Sequence, residues 1–392
     1  MSQERWTDEH LQAMRAEADP IADAVVARIY ETDAISGVNR LLANLSRPDR
    51  PLDPAIQALV DQYMAETAVL PDWADPQLIV ACEEFFSSHG TLSSTVLCCA
   101  SLPECYLDAM DAPVLASTTQ LLQHVERRIF ETAYMIVTVM QPGGMTTGGL
   151  GLRCAQRVRL MHAAVRHLLR SDYRAAMTAQ AAGTPRQPRW NMAHGEPINQ
   201  EAMAFVILTF SYVGLRSLER LGYHPAPELQ RAYMHTWSVI GHVMGVRDDL
   251  LAHSYEDGKL LFERIKARRR GASPEGQALT AAMLEWMVQT LPGPLDPLPK
   301  MMLCQLMGDE DAALLGVHQD KRENEAEAVF AKIANAVIDV VEVLKELTIV
   351  RRFSQALFHY FTRAIWKQHP EWGQEAFALP PALQEAWRVN ER

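Results

Sequence analysis

Apolar residues recur at intervals of three and four along most of the chain, and runs in which Val, Ile and Thr alternate with polar residues are absent. That spacing turns apolar side chains onto one face of a helix, so the pattern predicts an all-α protein. A long helix is expected over residues 113–140, ended by Gln141-Pro142-Gly143-Gly144, and a second over residues 152–171. A third begins near Asn199, is apolar on nearly every face and closes at Gly222, which places it at the centre of the fold. Further helices are predicted over 227–246, 275–291 and 323–365, the last two separated by Pro292, Pro294, Pro297 and Pro299.

Residues 1–110 read differently. Pro48, Pro51, Pro54, Pro71, Pro76 and Pro103 divide them into short helices, as expected of an N-terminal layer packed over a core formed by residues 111–392. At 392 residues the chain is long enough to wrap one large core, so the expectation is a single large helical domain with extra outer helices. The glycines between Gly143 and Gly151 follow no strand, and Cys154 stands where a phosphate-binding Gly-x-Gly-x-x-Gly would need its third glycine, so they read as a flexible loop.

Charge narrows the possible partners. Against 37 Lys and Arg stand 48 Asp and Glu, a net charge of -11 that disfavours nucleic acid. The one dense basic run, Arg264 to Arg270, precedes Gly-Ala-Ser-Pro and reads as a solvated helix end and loop. The most apolar stretch, Ala202 to Leu215, is too short to span a bilayer, so no transmembrane segment is expected. The first ten residues lack the basic and apolar regions of a secretory signal, and the expected location is cytoplasmic. Six cysteines without a Cys-x-x-Cys pair read as reduced thiols.

Three positions stand out chemically. The stripe Ala155, Val158, His162, Val165, Leu169 carries a histidine through an apolar face, which fits either a satisfied core residue or a metal ligand. The register Leu121, Val125, Arg128, Thr132, Met135, Val139 threads an arginine through a second apolar face. A buried guanidinium needs an anion, either Glu126, Glu131, a carboxylate from another helix, or a cofactor carboxylate. Arg166, one turn beyond His162, suits either an ion pair with a neighbouring helix or a cofactor carboxylate. No Glu-x-x-His or His-Glu-x-x-His occurs, which argues against di-iron carboxylate and zinc hydrolase chemistry.

The segments Ser101-Leu-Pro-Glu-Cys-Tyr106, Arg128-Ile-Phe-Glu-Thr132, Arg157-Val-Arg-Leu-Met-His-Ala-Ala-Val-Arg166, Gly195-Glu-Pro-Ile-Asn-Gln200 and Trp237-Ser-Val-Ile-Gly-His-Val-Met-Gly245 together resemble the catalytic domain of the latex-clearing rubber oxygenases. That domain is shared with fungal oxygenases of the mycophenolic acid pathway, and the resemblance runs from about residue 85 to 350. It implies a globin-like core holding haem b, with His162 as the iron ligand, Arg166 at a haem propionate, and Arg128 and Thr132 on the distal side. It further implies O2 as co-substrate and a small apolar substrate, isoprenoid or lipid-like, oxidised at a carbon-carbon double bond. Where rubber oxygenases can place a distal lysine, this chain has Glu131, a third candidate catalytic residue. His235 and His242 match a second family pair with an expected structural role, and His194 and then His167 are the fallback ligands. A haem sensor or carrier without turnover, and a metal-free helical lipid-binding protein, are the alternative readings.

Overall fold

The computed structural model describes residues 5–46, 50–117, 121–290 and 296–318, apart from the side chains of residues 88–91, 117 and 121–128. Among the described residues there are fifteen α-helices and no strand. They are α1 Asp8–Met14, α2 Pro20–Ser46, α3 Pro54–Glu66, α4 Pro76–Val96, α5 Leu102–Tyr106, α6 Ala112–Ser117, α7 Leu121–Met140, α8 Leu150–Ala181, α9 Gln200–Phe210, α10 Tyr212–Arg220, α11 Pro227–Val243, α12 Tyr255–Arg269, α13 Pro274–Thr290, α14 Leu298–Met307 and α15 Asp309–Leu314. The all-α expectation holds; the helix expected over 323–365 lies outside the described residues.

Local chemistry explains most helix starts. Asp53 and Asp75 accept hydrogen bonds from the Ala55 and Gln77 N–H groups, each ahead of a proline in the first turn. Pro54, Pro76 and Pro227 thus open helices, where the missing donor costs nothing. Asn199 caps α9 through the Ala202 N–H at 3.0 Å.

Several elements depart from the sequence reading: α8 runs on to Ala181, ten residues past its expected end at 171, and the helix expected over 113–140 is found as α6 and α7. The central apolar helix is divided at Ser211, whose Oγ donates to the Ile207 carbonyl at 2.9 Å. The stretch Gln200–Arg220 is apolar and long enough to cross a membrane by composition, but 89% of its most apolar window is buried within the protein. Between α4 and α5, Leu97–Ser101 forms a fully buried π-helical turn that periodicity did not reveal.

Packing joins distant segments. α2 lies along α8, α4 along α11, and α7 is held between α8 and α13. Ion pairs fasten α2 to α8: just ahead of α2, Asp19 accepts from Arg159 Nε and Nη2 at 2.5 and 2.8 Å, and Asp23 engages Arg166 and Arg170.

The basic run is not the solvated surface its composition suggested. Lys266 and Arg269 are buried, with Lys266 meeting Glu104 and Asp311 at 2.9 and 2.6 Å. Arg269 meets Asp108, Asp111 and Glu201 at 2.6, 2.5 and 3.0 Å. Acids from four separate segments converge on α12, and this neutralisation makes burial of its cations tolerable.

Candidate functional site

α7 and α8 form a helical hairpin whose base is nearly in backbone contact. A Cβ added at Gly151 would lie 2.6 Å from the Thr138 carbonyl oxygen and 2.7 Å from Val139 Cα. The loop between them is tied rather than free: the Gly143 N–H donates to Glu83 Oε2 and the Leu152 N–H to the Gly144 carbonyl, both at 2.9 Å. The glycines therefore serve close approach between two helices, a more constrained role than the flexible loop read from sequence.

This contact fixes which face of α8 turns toward α7. His162 follows Gly151 by three helical turns and so returns to nearly the same azimuth. Along that line Ala155, Val158, Val165 and Leu169 are all buried. His162 is half-buried, and its Nδ1 is shielded from solvent.

On α7, Thr132 precedes Val139 by two turns and shares its azimuth, and it is also half-buried. Glu131 lies about a quarter-turn aside and is 7% exposed. By helix geometry Thr132 shares its azimuth with Val139 and His162 with Gly151, the two positions in contact at the hairpin base, and Glu131 on α7 is buried. Arg128 belongs to α7, but its side chain lies outside the described residues.

Arg166 takes the ion-pair alternative. It is 2% exposed, ion-paired with Asp23, and donates to the Pro197 and Ile198 carbonyls at 3.0 Å each. Those partners bind α8 to α2 and to the segment before α9, so the side chain works in the scaffold. Asp19 and Asp23, missed as functional positions, are spaced i, i+4 on the N-terminal layer, and that spacing is the one sequence signal of their shared partner helix.

The other histidines are engaged elsewhere. His167 lies on the α2 side of α8, its ring 4.7 Å from Tyr30, and burial lowers its pKa. His194 sits half-exposed in a short turn, edge-on to Trp190, with its carbonyl accepting from Arg15. His235 Nε2 accepts from the Asp75 N–H at 2.8 Å, and His242 Nδ1 meets Asp248 Oδ1 at 2.6 Å. Trp73 packs edge-on against both rings, so the pair secures the α3–α4 connection to α11, in the structural role expected of it.

The donor set fits haem better than a polynuclear metal centre. Among the described residues no three His, Cys, Asp or Glu side chains gather as a ligand group. The six cysteines form no disulfide and are buried, with burial pushing the Cys82 thiol up to about 12 and raising Cys98 and Cys99 as well, which disfavours thiolate ligation at those three. Haem b takes a single imidazole ligand, and His162, on a stripe of buried apolar residues, could supply one.

Known proteins resemble the chain over most of its length. The family described as ER-bound oxygenase mpaB/B'/rubber oxygenase, catalytic domain, matches residues 89–391. The rubber oxygenase of Streptomyces sp. (strain K30) is 23% identical over 303 residues, spanning 76% of this chain and 70% of that protein. The structure of latex clearing protein LCP in the closed state has the same fold, with a TM-score of 0.69 and 19% identity over 88% of this chain and 91% of that one.

Proposed function

The chain belongs to the ER-bound oxygenase mpaB/B'/rubber oxygenase catalytic-domain family and is an oxygenase; on that premise we propose that it depends on haem b and oxidises a carbon-carbon double bond of an apolar, isoprenoid or lipid-like substrate. The observation that carries this reading is the placement of His162, on the buried apolar stripe of α8 that faces α7. Bound there, haem b would supply the iron at which O2 is activated.

The chain's own residues have separable tasks. His162 would hold the iron through its imidazole, flanked along its stripe by the buried Val158 and Val165. Thr132 offers a hydroxyl that can donate to or accept from a polar group on the opposite side. Glu131 can hold a proton at its carboxylate in a site where burial amplifies its effect. Arg128 is kept as a distal cation on the strength of the family motif. The apolar substrate follows from the rubber named in the relative and from the alkyl and aromatic character of the surrounding core.

The test is His162→Ala in the full chain. Soret absorbance per protein should be lost, while far-UV circular dichroism stays near wild type, because one imidazole contributes little to so large a core. A variant that retains its haem would overturn the ligand assignment.

A further inference from the structure

A narrow pocket unused by this scheme lies where α4, the π-helical turn, α7, α10 and α11 meet. Phe86, Val96, Leu97, Ile136, Phe210 and Trp237 line it, and all six are buried. Two hydroxyls at its wall are engaged by the protein: Tyr233 donates to the Phe210 carbonyl at 3.2 Å, and Ser101 to the Thr209 carbonyl at 2.8 Å, while the Trp237 Nε1–H is a buried donor without a partner among the described residues.

Size and polarity together select the occupant. The pocket holds about 30 Å³, and a water needs about 10–15 Å³ of such space together with two to four polar partners. With those two hydroxyls turned to backbone carbonyls and apolar side chains forming most of the wall, the pocket holds water poorly. A five-carbon isoprene unit is too large for a space of about two waters. An apolar diatomic molecule fits on both counts, and an oxygenase consumes one.

Two further observations place the pocket in relation to chemistry. Ile136 follows Thr132 by four residues, so the pocket wall and the threonine share one face of α7, a single turn apart. The π-helical turn contributes Leu97 and Ser101 to the wall, and such turns are frequent at functional sites.

We propose that this pocket is a docking site for dioxygen, holding it beside α7 one helical turn from Thr132. The inference rests on the haem reading for the destination of the gas, whereas the pocket itself is defined independently of any cofactor.

Xenon and carbon monoxide are the probes, used with the full-length chain. Xenon pressurisation of crystals should give density between Ile136 and Phe210. Ile136→Phe should abolish that density and slow CO association with the dithionite-reduced protein about fivefold, with the Soret position unchanged. Should that variant misfold, Leu97→Phe fills the space from the opposite wall and carries the same expectation. A Soret band in a protein whose pocket excludes xenon, or unchanged CO association in a folded, filled variant, overturns the gas site. Xenon in the pocket of a protein without a Soret band would instead sink the haem reading and leave the gas site standing.

Discussion

Glu131 is the residue at which this chain departs from the rubber oxygenases it resembles, and its burial makes the departure informative. A carboxylate binds ferrous haem more weakly than an amine, so a protein with Glu131 on the distal side should take CO or O2 without first displacing a strong ligand. Glu131→Lys tests this placement. A lysine buried there sheds its proton readily, and the free amine should shift the visible spectrum toward a low-spin form and slow CO association. Unchanged spectrum and kinetics would place Glu131 away from the iron. At this scale the sequence was informative where an anomaly broke a regular pattern: His162 interrupts an apolar stripe whose other members are all buried. Arg166 was not decidable, because the same i, i+4 spacing serves a cofactor carboxylate and a scaffold ion pair. Only the fold brings in Asp23, which lies 143 residues away.

Helices that begin at a cap or end at a glycine were legible as elements, since those signals act within one turn of backbone. α7 ends at Met140 and α13 spans Pro274–Thr290, each within a residue or so of its expectation. The break at Ser211 and the π-helical turn were not legible, because a segment buried on all sides has no periodicity to disrupt. Both irregularities are settled by side-chain and tertiary contacts. The α7–α8 hairpin gives a sharper element-scale test. Gly151 is in a helical segment with no positive φ, so its importance is steric: any Cβ would strike the backbone of α7. Gly151→Val should therefore splay the hairpin and destabilise the protein by roughly 1–3 kcal/mol, as overpacked cores do. If the two helices form the walls of a haem slot, the same variant should also weaken haem retention. Equilibrium urea unfolding and Soret absorbance per protein read the two effects separately. Wild-type values for both would show that the hairpin base does not set the spacing of the site.

At the scale of the whole molecule, buried charge rather than apolar area is what composition concealed. The basic run looked solvated because its partners are distant in sequence: the acids that neutralise Arg269 lie 161, 158 and 68 residues away. Such a network ties α5, α6, α9 and α12 together, and it makes stability depend on pH in a definite direction. Asp111 is largely shielded, its side chain 17% exposed, and that burial, with Asp108 and Glu201 nearby, raises its carboxyl to about 7 despite the opposing influence of Arg269. An aspartate in the unfolded chain titrates at about 3.9. From about pH 4 to about pH 7 the folded protein thus retains a proton that the unfolded chain releases, and the stabilisation it brings is lost as pH rises through that window. The slope is on the order of 1 kcal/mol per pH unit for one such proton. Asp111→Asn cannot titrate, so the stability of the wild type relative to this variant should decline between pH 5 and pH 7 and level off above it. Urea unfolding of both proteins at several pH values checks the expectation. A constant stability difference across that range would mean that Arg269 keeps Asp111 ionised throughout, and that the network is held as fixed ion pairs instead of sharing a proton near neutrality.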